Sequence, residues 1–278
     1  MKQFLTLIFL LNFFIPQPGK AQEQLLSDTM NYLKLNKEFI VSGFTDTRDV
    51  LVSPVKWKKN QWIGFAAFAG TSVLLYSHDE NIRDFFQRNQ SQVVDETAKY
   101  GIEPWGSGIY LIPLIGGMYV YGLGWHHPEA ETAALLTGKA VVIAGGFTLL
   151  LKGITGRHRP NQDVPANHTL WEGPFTGFAY VSFPSGHTAL AFSAATVLSA
   201  YYHEKTWVAI TTFSLASLVG ISRIYNDEHW ASDVFGGAVL GYTIGRLVYN
   251  NHLKKSNFTV VPYINGPYQG LSVNYLVD

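Results

Sequence analysis

Six apolar segments constrain the fold of this chain more than any other feature of its sequence. Each segment has between 15 and 20 residues and is rich in Gly, Ala, Ser and Thr, the small residues that let helices approach closely in lipid. Charged residues make up only 14% of the chain, against about 25% in an ordinary soluble domain. This pattern favours helices embedded in a membrane. The segments are Gln61–Tyr76, Gly106–Gly124, Thr132–Leu151, Thr188–Tyr202, Trp207–Ile221 and Val234–Tyr249.

We therefore predict an all-α fold, a bundle of about six core helices over residues 61–250. An amphipathic extension, residues 22–60, precedes the bundle, and a tail, residues 251–278, follows it. Two β-prone runs in the tail flank Asn265-Gly266-Pro267. A turn-forming sequence between two such runs predicts a small β-hairpin.

The N-terminus predicts export from the cytoplasm. Lys2 precedes a predominantly apolar run of 12 residues, and small residues follow at Gly19 and Ala21. This order is typical of a secretory signal peptide, which we place at residues 1–21. The expected location is the cell envelope, in the inner membrane with the site facing the periplasm. A soluble periplasmic protein is the alternative, because a buried helical core has a similar apolar pattern.

Lysines outside the apolar segments give conflicting information about topology. If all six segments cross the membrane, these lysines share one face, which the positive-inside rule makes cytoplasmic. A cleaved signal peptide instead leaves residues 22–60 outside. Either the first segment does not span, or the signal is retained, or the bundle is not in lipid. The lysines are Lys56, Lys58, Lys59, Lys205, Lys254 and Lys255.

Charge and cysteine content exclude several functions. Lys and Arg number 20, as do Asp and Glu, so the formal net charge is zero and nucleic acid is not an expected partner. The chain has no cysteine, which excludes a disulfide scaffold, thiolate zinc sites, a cysteine nucleophile and Fe–S clusters.

Three polar motifs interrupt the second half of the chain. They are KGITGRHRP at 152–160, SFPSGHT at 182–188 and SRIYNDEHWASD at 222–233. Each lies at the end of a predicted helix, on alternate connections of an up-and-down bundle. Alternate connections lie at the same end of such a bundle, so the sequence predicts that the three motifs form one site.

Cations in these motifs predict an anion site. Lys152, Arg159 and Arg223 would repel one another in a shared pocket unless an anion lay between them. Arginine donors match phosphate oxygens, and the helix that follows Ser185 and Gly186 points backbone N–H groups toward its N-terminus. The predicted ligand is a tetrahedral oxyanion, most simply phosphate.

Two histidines add the groups needed for hydrolysis. His229 and Asp233 are four residues apart, which places them on one face of a helical turn. A carboxylate that binds one imidazole nitrogen leaves the other free to attack. His187, at the opposite helix start, can protonate a departing alkoxide. The predicted reaction is hydrolysis of a phosphate monoester through a phosphohistidine. Four charged residues lie beside these groups. Arg157 and His158 could support the site residues, and Asp227 and Glu228 could raise the pKa of the nucleophile, but we favour solvated side chains for all four.

Taken together, the motifs resemble those of the type 2 phosphatidic acid phosphatase superfamily, K-x₆-R-P, P-S-G-H and S-R-x₅-H-x₃-D. That superfamily includes bacterial acid phosphatases and vanadium haloperoxidases, and the resemblance covers about residues 106–250. It implies that His229 is the nucleophile, that Asp233 orients it and that His187 is the general acid. It implies no metal or other cofactor. The residues that it assigns to phosphate binding are Lys152, Arg159, Ser185, Gly186 and Arg223.

The predicted function is that of a metal-independent phosphatase for phosphate monoesters or pyrophosphates of membrane lipids, with a phosphorylated lipid and the membrane as its partners. Candidate substrates are phosphatidic acid, phosphatidylglycerol phosphate, undecaprenyl pyrophosphate and lipid A phosphates. A soluble periplasmic acid phosphatase of broad specificity is the alternative. A vanadium-dependent haloperoxidase is less favoured, because the sequence offers nothing further for halide chemistry. The sequence does not indicate an oligomeric state.

Overall fold

A computed structural model describes residues 32–174, 180–256, 258–265 and 268–275. The predicted signal peptide, residues 1–21, lies outside the described residues. The predicted all-α bundle is confirmed. Its helices are α1 (Lys37–Val52), α2 (Lys59–Tyr76), α3 (Asp79–Arg88), α4 (Gln92–Glu96), α5 (Glu103–Ser107), α6 (Leu111–Gly124), α7 (Pro128–Thr155), α8 (Gly186–Tyr201), α9 (Thr206–Tyr225) and α10 (Ala231–Ser256).

Two short helical turns complete the first half of the chain, a 3₁₀ turn at Ser53–Lys56 and a π-helical turn at Thr97–Ile102. All six apolar segments form helices, but Gly106–Gly124 is not a single one. Gly108 has a left-handed φ of 93° and ends α5, as glycine commonly does after a helix. The helical stretch 92–107 meets α6 at an angle of 56°.

Helix α7 is bounded by residues typical of helix ends. Pro128 is at its start, with Glu129 and Glu131 in the first turn, where proline and negative charge are both favourable. Gly156, with a φ of 58°, ends the helix in the left-handed conformation. The position of this end places Lys152 in the last turn of α7.

A stripe of glycines lets α10 lie directly on α8. Gly237, Gly241 and Gly245 recur at every fourth residue, so they share one face of α10. A Cβ atom added at these positions would lie 2.4, 2.2 and 2.8 Å from the backbone carbonyl oxygens of Ser185, which caps α8, and of Ala189 and Ser193 within it. Small residues at such an interface allow close contact between backbones. This contact fixes the start of α8 against the start of α10.

Fully buried apolar side chains fill the space between α7, α8 and α10. Leu136, Val197, Ile244 and Val248 each have 0% exposure. Burial of such side chains contributes about 1.5–3 kcal/mol each relative to exposure in water. These three helices therefore form the rigid part of the bundle on which the site is built.

The lysine within the third apolar segment is paired. Lys139 Nζ lies 2.6 Å from Asp46 Oδ2 of α1 and donates a hydrogen bond to Ser42. Pairing is what makes a charged side chain tolerable in an apolar setting. The ion pair holds α1 against α7.

Helix length limits the number of membrane spans. Within the described part of the chain, α7 with 28 residues and α9 with 20 are each long and apolar enough to cross a membrane, and the bent pair 92–107 and α6 could form a third span. Helix α8 has 16 residues, about 24 Å of rise, against a hydrocarbon core of about 30 Å. By length and hydropathy together, the described residues contain two or three candidate spans, fewer than the six considered from the sequence.

The tail contains two antiparallel strands, β1 (Phe258–Asn265) and β2 (Tyr268–Tyr275). Phe258 pairs with Tyr275 at one end, and Asn265 pairs with Tyr268 at the other. These strands directly follow α10. The domain boundaries derived from the sequence stay predictions.

Candidate active site

The structure brings the predicted site residues to one end of the bundle. Their positions follow from four helix ends and the segments beside them. Lys152 lies in the last turn of α7, Arg159 in the following loop, and Arg223 in the last turn of α9. The start of α8 holds Ser185, Gly186 and His187, and the start of α10 lies between His229 and Asp233. The charges of Lys152, Arg159 and Arg223 all act on His187.

Two glutamates hold the arginines of this site. Glu228 forms an ion pair with Arg159, and its Oε2 atom lies 3.5 Å from Nη2 of Arg223. Glu103, at the start of α5, places Oε1 2.9 Å from Nη1 of Arg223. Glu228 was expected to be solvated, and that expectation is wrong. Its carboxylate is needed here because two guanidinium groups close together require negative charge nearby.

One donor of each arginine remains without an acceptor. Nε of Arg159 and Nε of Arg223 are buried and have no acceptor among the described residues, whereas Nη1 of Arg223 is paired with Glu103. A buried donor without a partner costs about 1–3 kcal/mol. Lys152 donates to the carbonyl of Val181, and its Cε atom would lie 3.9 Å from a Cβ atom added to Gly186. Unpaired guanidinium donors beside a lysine and a helix start fit a tetrahedral oxyanion.

His229 is oriented by a buried carboxylate. Its side chain is 2% exposed, and Nδ1 lies 3.8 Å from Oδ2 of Asp233. That oxygen also accepts hydrogen bonds from Ser182 Oγ at 2.6 Å and from the backbone N–H of Trp230 at 2.9 Å. The two residues do not share a helical face as predicted, because α10 begins only at Ala231. A loop brings them together, and Nε2 lies on the side of the ring away from the carboxylate.

The protonation states of this pair suit a nucleophile. Burial lowers the pKa of His229 to about 4, although the interaction with Asp233 opposes the change, and the charge of Lys152 lowers it further. Burial alone would raise the pKa of Asp233, but the charge of Arg157 and contacts with His229 and Ser182 hold it below its ordinary value. At neutral pH the imidazole is therefore uncharged and the carboxylate is ionised, which leaves a lone pair on the imidazole for attack.

Arg157 was expected to be solvated, and this expectation is also wrong. Its exposure is 0%. Nη1 donates to Oδ1 of Asp233 at 2.5 Å, and Nη2 donates to Oδ2 of Asp79 at 2.8 Å. The guanidinium thus fixes the carboxylate that faces His229. Three aromatic rings enclose its central carbon, those of Tyr76, Trp171 and Trp230, with centroids at 5.0, 4.8 and 5.7 Å.

Asp79 belongs to the same buried network, although none of the three sequence motifs contains it. It begins α3 and is completely buried. Oδ1 accepts from the backbone N–H of Ser232 at 2.9 Å, and Oδ2 accepts from Ser232 Oγ at 2.5 Å. Burial raises the pKa of Asp79, against the lowering effects of Ser232 and Arg157. Nothing local in the sequence marks this residue, because its partners lie far along the chain.

His187 lies among cations. Burial lowers its pKa to about 3, and the charges of Arg223, His229, Arg159 and Lys152 lower it further. Its Nε2 atom is 3.9 Å from Oε1 of Glu103. A bound anion would offset the cations and favour the protonated imidazole. His187 can then donate a proton once the site holds an oxyanion.

Two other residues beside the site, His158 and Asp227, are held by ion pairs and hydrogen bonds instead of being solvated. His158 is buried, with Nδ1 2.9 Å from Asp163 and Nε2 3.1 Å from Glu172. Asp227 receives two hydrogen bonds from Arg83, at 2.6 and 2.7 Å. Both were expected to be solvated. These contacts tie the segments around the site to each other and to α3.

The arrangement supplies the parts needed for phosphoryl transfer: an anion cradle, an uncharged imidazole with an orienting carboxylate, and a second imidazole. Across residues 32–174 and 180–256, no group of three or more His, Asp or Glu side chains is placed to hold a metal ion.

Comparison with known proteins finds a family that matches the part of the chain containing the three motifs. The model of the PAP2 superfamily matches residues 131–257. This range includes all eight predicted site residues, and it excludes Asp79 and Glu103.

Individual relatives are lipid phosphatases. A lipid A 1-phosphatase of Porphyromonas gingivalis is 30% identical over 70% of this chain and 39% of its own length. Phosphatidylglycerophosphatase B of Bacillus subtilis is 31% identical over 53% of this chain and 70% of its own length. A solved transmembrane PAP2-type phosphatidylglycerolphosphate phosphatase, also of Bacillus subtilis, has a TM-score of 0.47 and 26% identity over 67% of this chain and 94% of that one.

The chain spans only part of several relatives, 39% of the first named above and about half of two others. The names of these relatives and the apolar helices α7 and α9 point to a membrane protein.

Proposed function

This chain belongs to the PAP2 superfamily, and on that premise we propose that it is a metal-independent phosphatase of membrane lipids that acts through a phosphohistidine. The observation that carries the proposal is the pair of buried, unpartnered Nε donors of Arg159 and Arg223 beside an uncharged, carboxylate-oriented His229. Such donors stabilise the charge that develops on a transferring phosphoryl group. Arginines, a lysine and backbone amides would stabilise the negative charge of the phosphoryl group here, as metal ions do in other phosphatases.

In the first step, Nε2 of His229 attacks phosphorus. A P–N bond forms as the P–O bond to the alcohol breaks, and His187 gives a proton to the departing oxygen. The Nδ1–H group of His229 faces Asp233, which stabilises the positive imidazolium. The products of this step are the free alcohol and a phosphohistidine.

In the second step, water attacks phosphorus. The P–N bond breaks and its electron pair returns to Nε2 of His229, while His187, now neutral, takes a proton from the water. Inorganic phosphate leaves, and both histidines return to their starting states. One group thus serves as acid and then as base, as reversibility of the proton transfer requires.

A lipid substrate is supported by the position of the site at the ends of apolar helices. Lys152 is in the last turn of α7 and Arg223 in the last turn of α9, the two single helices of the described part of the chain that are both long and apolar enough to span. A head group at the membrane surface would reach a site at such helix ends. Our proposed substrates are phosphate monoesters or pyrophosphates such as phosphatidic acid, phosphatidylglycerol phosphate, undecaprenyl pyrophosphate or lipid A phosphates. The proposed location is the inner membrane, with the site facing the periplasm.

The proposal is tested with the protein purified in detergent and each lipid phosphate in turn, with phosphate release as the readout. Activity should persist in EDTA, and activity that disappears on chelation and returns with a divalent metal would contradict the metal-free mechanism. His229→Ala should lower kcat by at least about 10⁴-fold, because the nucleophile is lost. The exposed His203 provides the matched control, and His203→Ala should retain activity.

The role of His187 is tested by the leaving group. His187→Ala should lower kcat on an alkyl phosphate by about 10²–10⁴-fold, the usual contribution of a general acid. On p-nitrophenyl phosphate the loss should be much smaller, because nitrophenolate departs without a proton. Equal losses on both substrates would rule out proton donation by His187.

A further inference from the structure

Glu103 reaches the site from a part of the chain that precedes the match to the family model. It begins α5, and its Oε1 atom lies 2.9 Å from Arg223 Nη1 and 3.9 Å from His187 Nε2. Its other oxygen accepts a hydrogen bond from Asn226 Nδ2 at 3.2 Å. One carboxylate therefore contacts a phosphate-binding arginine and the proposed general acid.

Close packing holds α5 in this position. A Cβ atom added to Gly106 would lie 2.8 Å from Cβ of His187 and 2.6 Å from a methyl group of Val219. Gly106 is three residues after Glu103, so both residues lie on the same side of the helix. The absence of a side chain at Gly106 allows α5 to rest directly on His187.

The charges around His187 disfavour its protonated form, so a carboxylate beside the ring adds to the effect of a bound anion in favouring proton donation. The groups that face it are Lys152 from α7, Arg159 from the loop after α7, Arg223 from α9 and His229 from the loop before α10, and all are basic. Glu228 is paired with the two arginines. Glu103 is the carboxylate within 4 Å of the His187 ring in the described part of the chain.

We propose that Glu103 is a positioning residue that holds Arg223 before substrate binds and stabilises the protonated form of His187 when phosphate binds. This inference rests on the proposed function. A phosphate group that binds Arg223 competes with Glu103 for the guanidinium, and the carboxylate then remains beside His187 Nε2. An opposite charge at about 4–6 Å favours the charged form of a histidine. The proton needed by the leaving alcohol is thereby kept on His187 at neutral pH.

The surroundings of Glu103 also indicate where the leaving alcohol goes. A cavity of about 700 Å³ is lined by Glu103 together with Tyr100, Tyr110 and Asn226, among others. The alcohol oxygen must approach His187 to take its proton, and Glu103 lies both at this cavity and 3.9 Å from His187 Nε2. The head group of the substrate is therefore expected to occupy the cavity.

The test compares Glu103→Gln with wild type across pH, on an alkyl phosphate and on p-nitrophenyl phosphate. On the alkyl phosphate, the pH at which kcat begins to fall on the basic side should be about one unit lower in Glu103→Gln than in wild type. At pH values above both limbs, kcat of the variant should therefore be about tenfold below that of wild type. On p-nitrophenyl phosphate kcat should change little. Inorganic phosphate should inhibit the variant more strongly, because it no longer competes with a carboxylate for Arg223.

Two variants keep the result interpretable. Glu96 is exposed and lies in the neighbouring α4, so Glu96→Gln makes the same change away from the site and should leave the pH profile unmoved. Glu103→Asp keeps the charge and should place the basic limb between wild type and Glu103→Gln, which also covers the case in which the glutamine variant does not fold.

An unmoved basic limb in both Glu103 variants, or equal losses on the two substrates, would overturn the role of Glu103 while the wild-type enzyme remains active. Absence of phosphatase activity in wild type and Glu96→Gln would instead reject the proposed function.

Discussion

Replacing Arg157 by methionine should destabilise the protein in a way that depends on pH. Methionine fills a similar volume but leaves Asp79 and Asp233 without their shared cation. The side chains of Arg157, Asp79 and Asp233 are 1%, 0% and 0% exposed. Removing one partner of a buried ion pair costs about 3–5 kcal/mol, whereas an exposed pair contributes about 0–1 kcal/mol.

The free energy of protonating Asp79 is an upper limit to what this carboxyl contributes to the loss of stability. An unpaired buried carboxyl becomes neutral by taking a proton, and its ordinary pKa is 3.8. Each pH unit above that value costs about 1.4 kcal/mol, so neutralisation costs about 4 kcal/mol at pH 7 and about 2 kcal/mol at pH 5. Burial already raises the pKa of Asp79 with Arg157 present, so the variant should protonate this carboxyl readily.

Thermal unfolding in detergent at the two pH values measures the effect. One kcal/mol shifts Tm by about 2–4 °C for a domain of this size, so Arg157→Met should lower Tm by about 8–16 °C at pH 7 and by about half as much at pH 5. Arg48, whose side chain is 69% exposed, provides the matched control, and Arg48→Met should change Tm by less than about 4 °C at either pH.

A second substitution separates stability from catalysis. Adding Asp79→Asn to Arg157→Met removes the carboxyl that must be neutralised, so it should restore part of the lost Tm at pH 7. Activity should stay low, about 10²-fold below wild type, because Asp233 still lacks the guanidinium that positions it beside His229. An equal loss of Tm at pH 5 and pH 7, or a further loss on adding Asp79→Asn, would refute the role given to Arg157.

Two further predictions concern packing and pH. In Gly237→Ala the new Cβ atom would lie 2.4 Å from the carbonyl oxygen of Ser185, so stability should fall by about 1–3 kcal/mol and phosphate should bind more weakly. Gly145→Ala is the control, because no heavy atom lies within 4 Å of its new Cβ atom, and it should not destabilise the protein. Equal Tm values for the two variants would contradict the packing described for α8 and α10. His229 and His187 have pKa values of about 4 and about 3 in the folded protein, against 6.5 ordinarily. As pH drops from about 6.5 toward 4, these histidines therefore bind protons in the unfolded chain before they do so in the folded protein. Protonation then favours the unfolded chain, and Tm should fall over this interval. Inorganic phosphate should reduce this dependence, and a Tm that rises over the same interval would show that the histidines are not held neutral.

Much of the fold and of the site was predictable because the relevant signals are local. Apolar segments of 15–20 residues predicted helical structure that the fold contains, although Gly108 breaks the second segment into two helices. The cations and histidines at the ends of these segments identified the region that the structure brings together. The boundaries of the third motif were less predictable. His229 and Asp233 have helical spacing, yet His229 lies in a loop, because α10 begins after Trp230.

Arg157 shows where local reasoning fails. In the sequence it stands two residues before Arg159, in a segment that is polar throughout, and nothing in that segment distinguishes a buried arginine from a solvated one. In the structure Gly156 turns the chain out of α7 and directs Arg157 between two carboxylates and three aromatic rings. Burial depends on what packs around a side chain, so it could not be read from its neighbours in sequence.

The helical class of the protein, its apolar segments and the groups that can bind and attack phosphate were all readable from the amino-acid sequence. These properties follow from composition, periodicity and helix-end residues, which act over a few positions. Helix packing in three dimensions selects the carboxylates that control those groups. Asp79 is 78 residues from Arg157 and 153 from Ser232 along the chain, and Glu103 reaches Arg223 from a different helix. Contacts over such separations are set by helix packing, because no short-range preference specifies them.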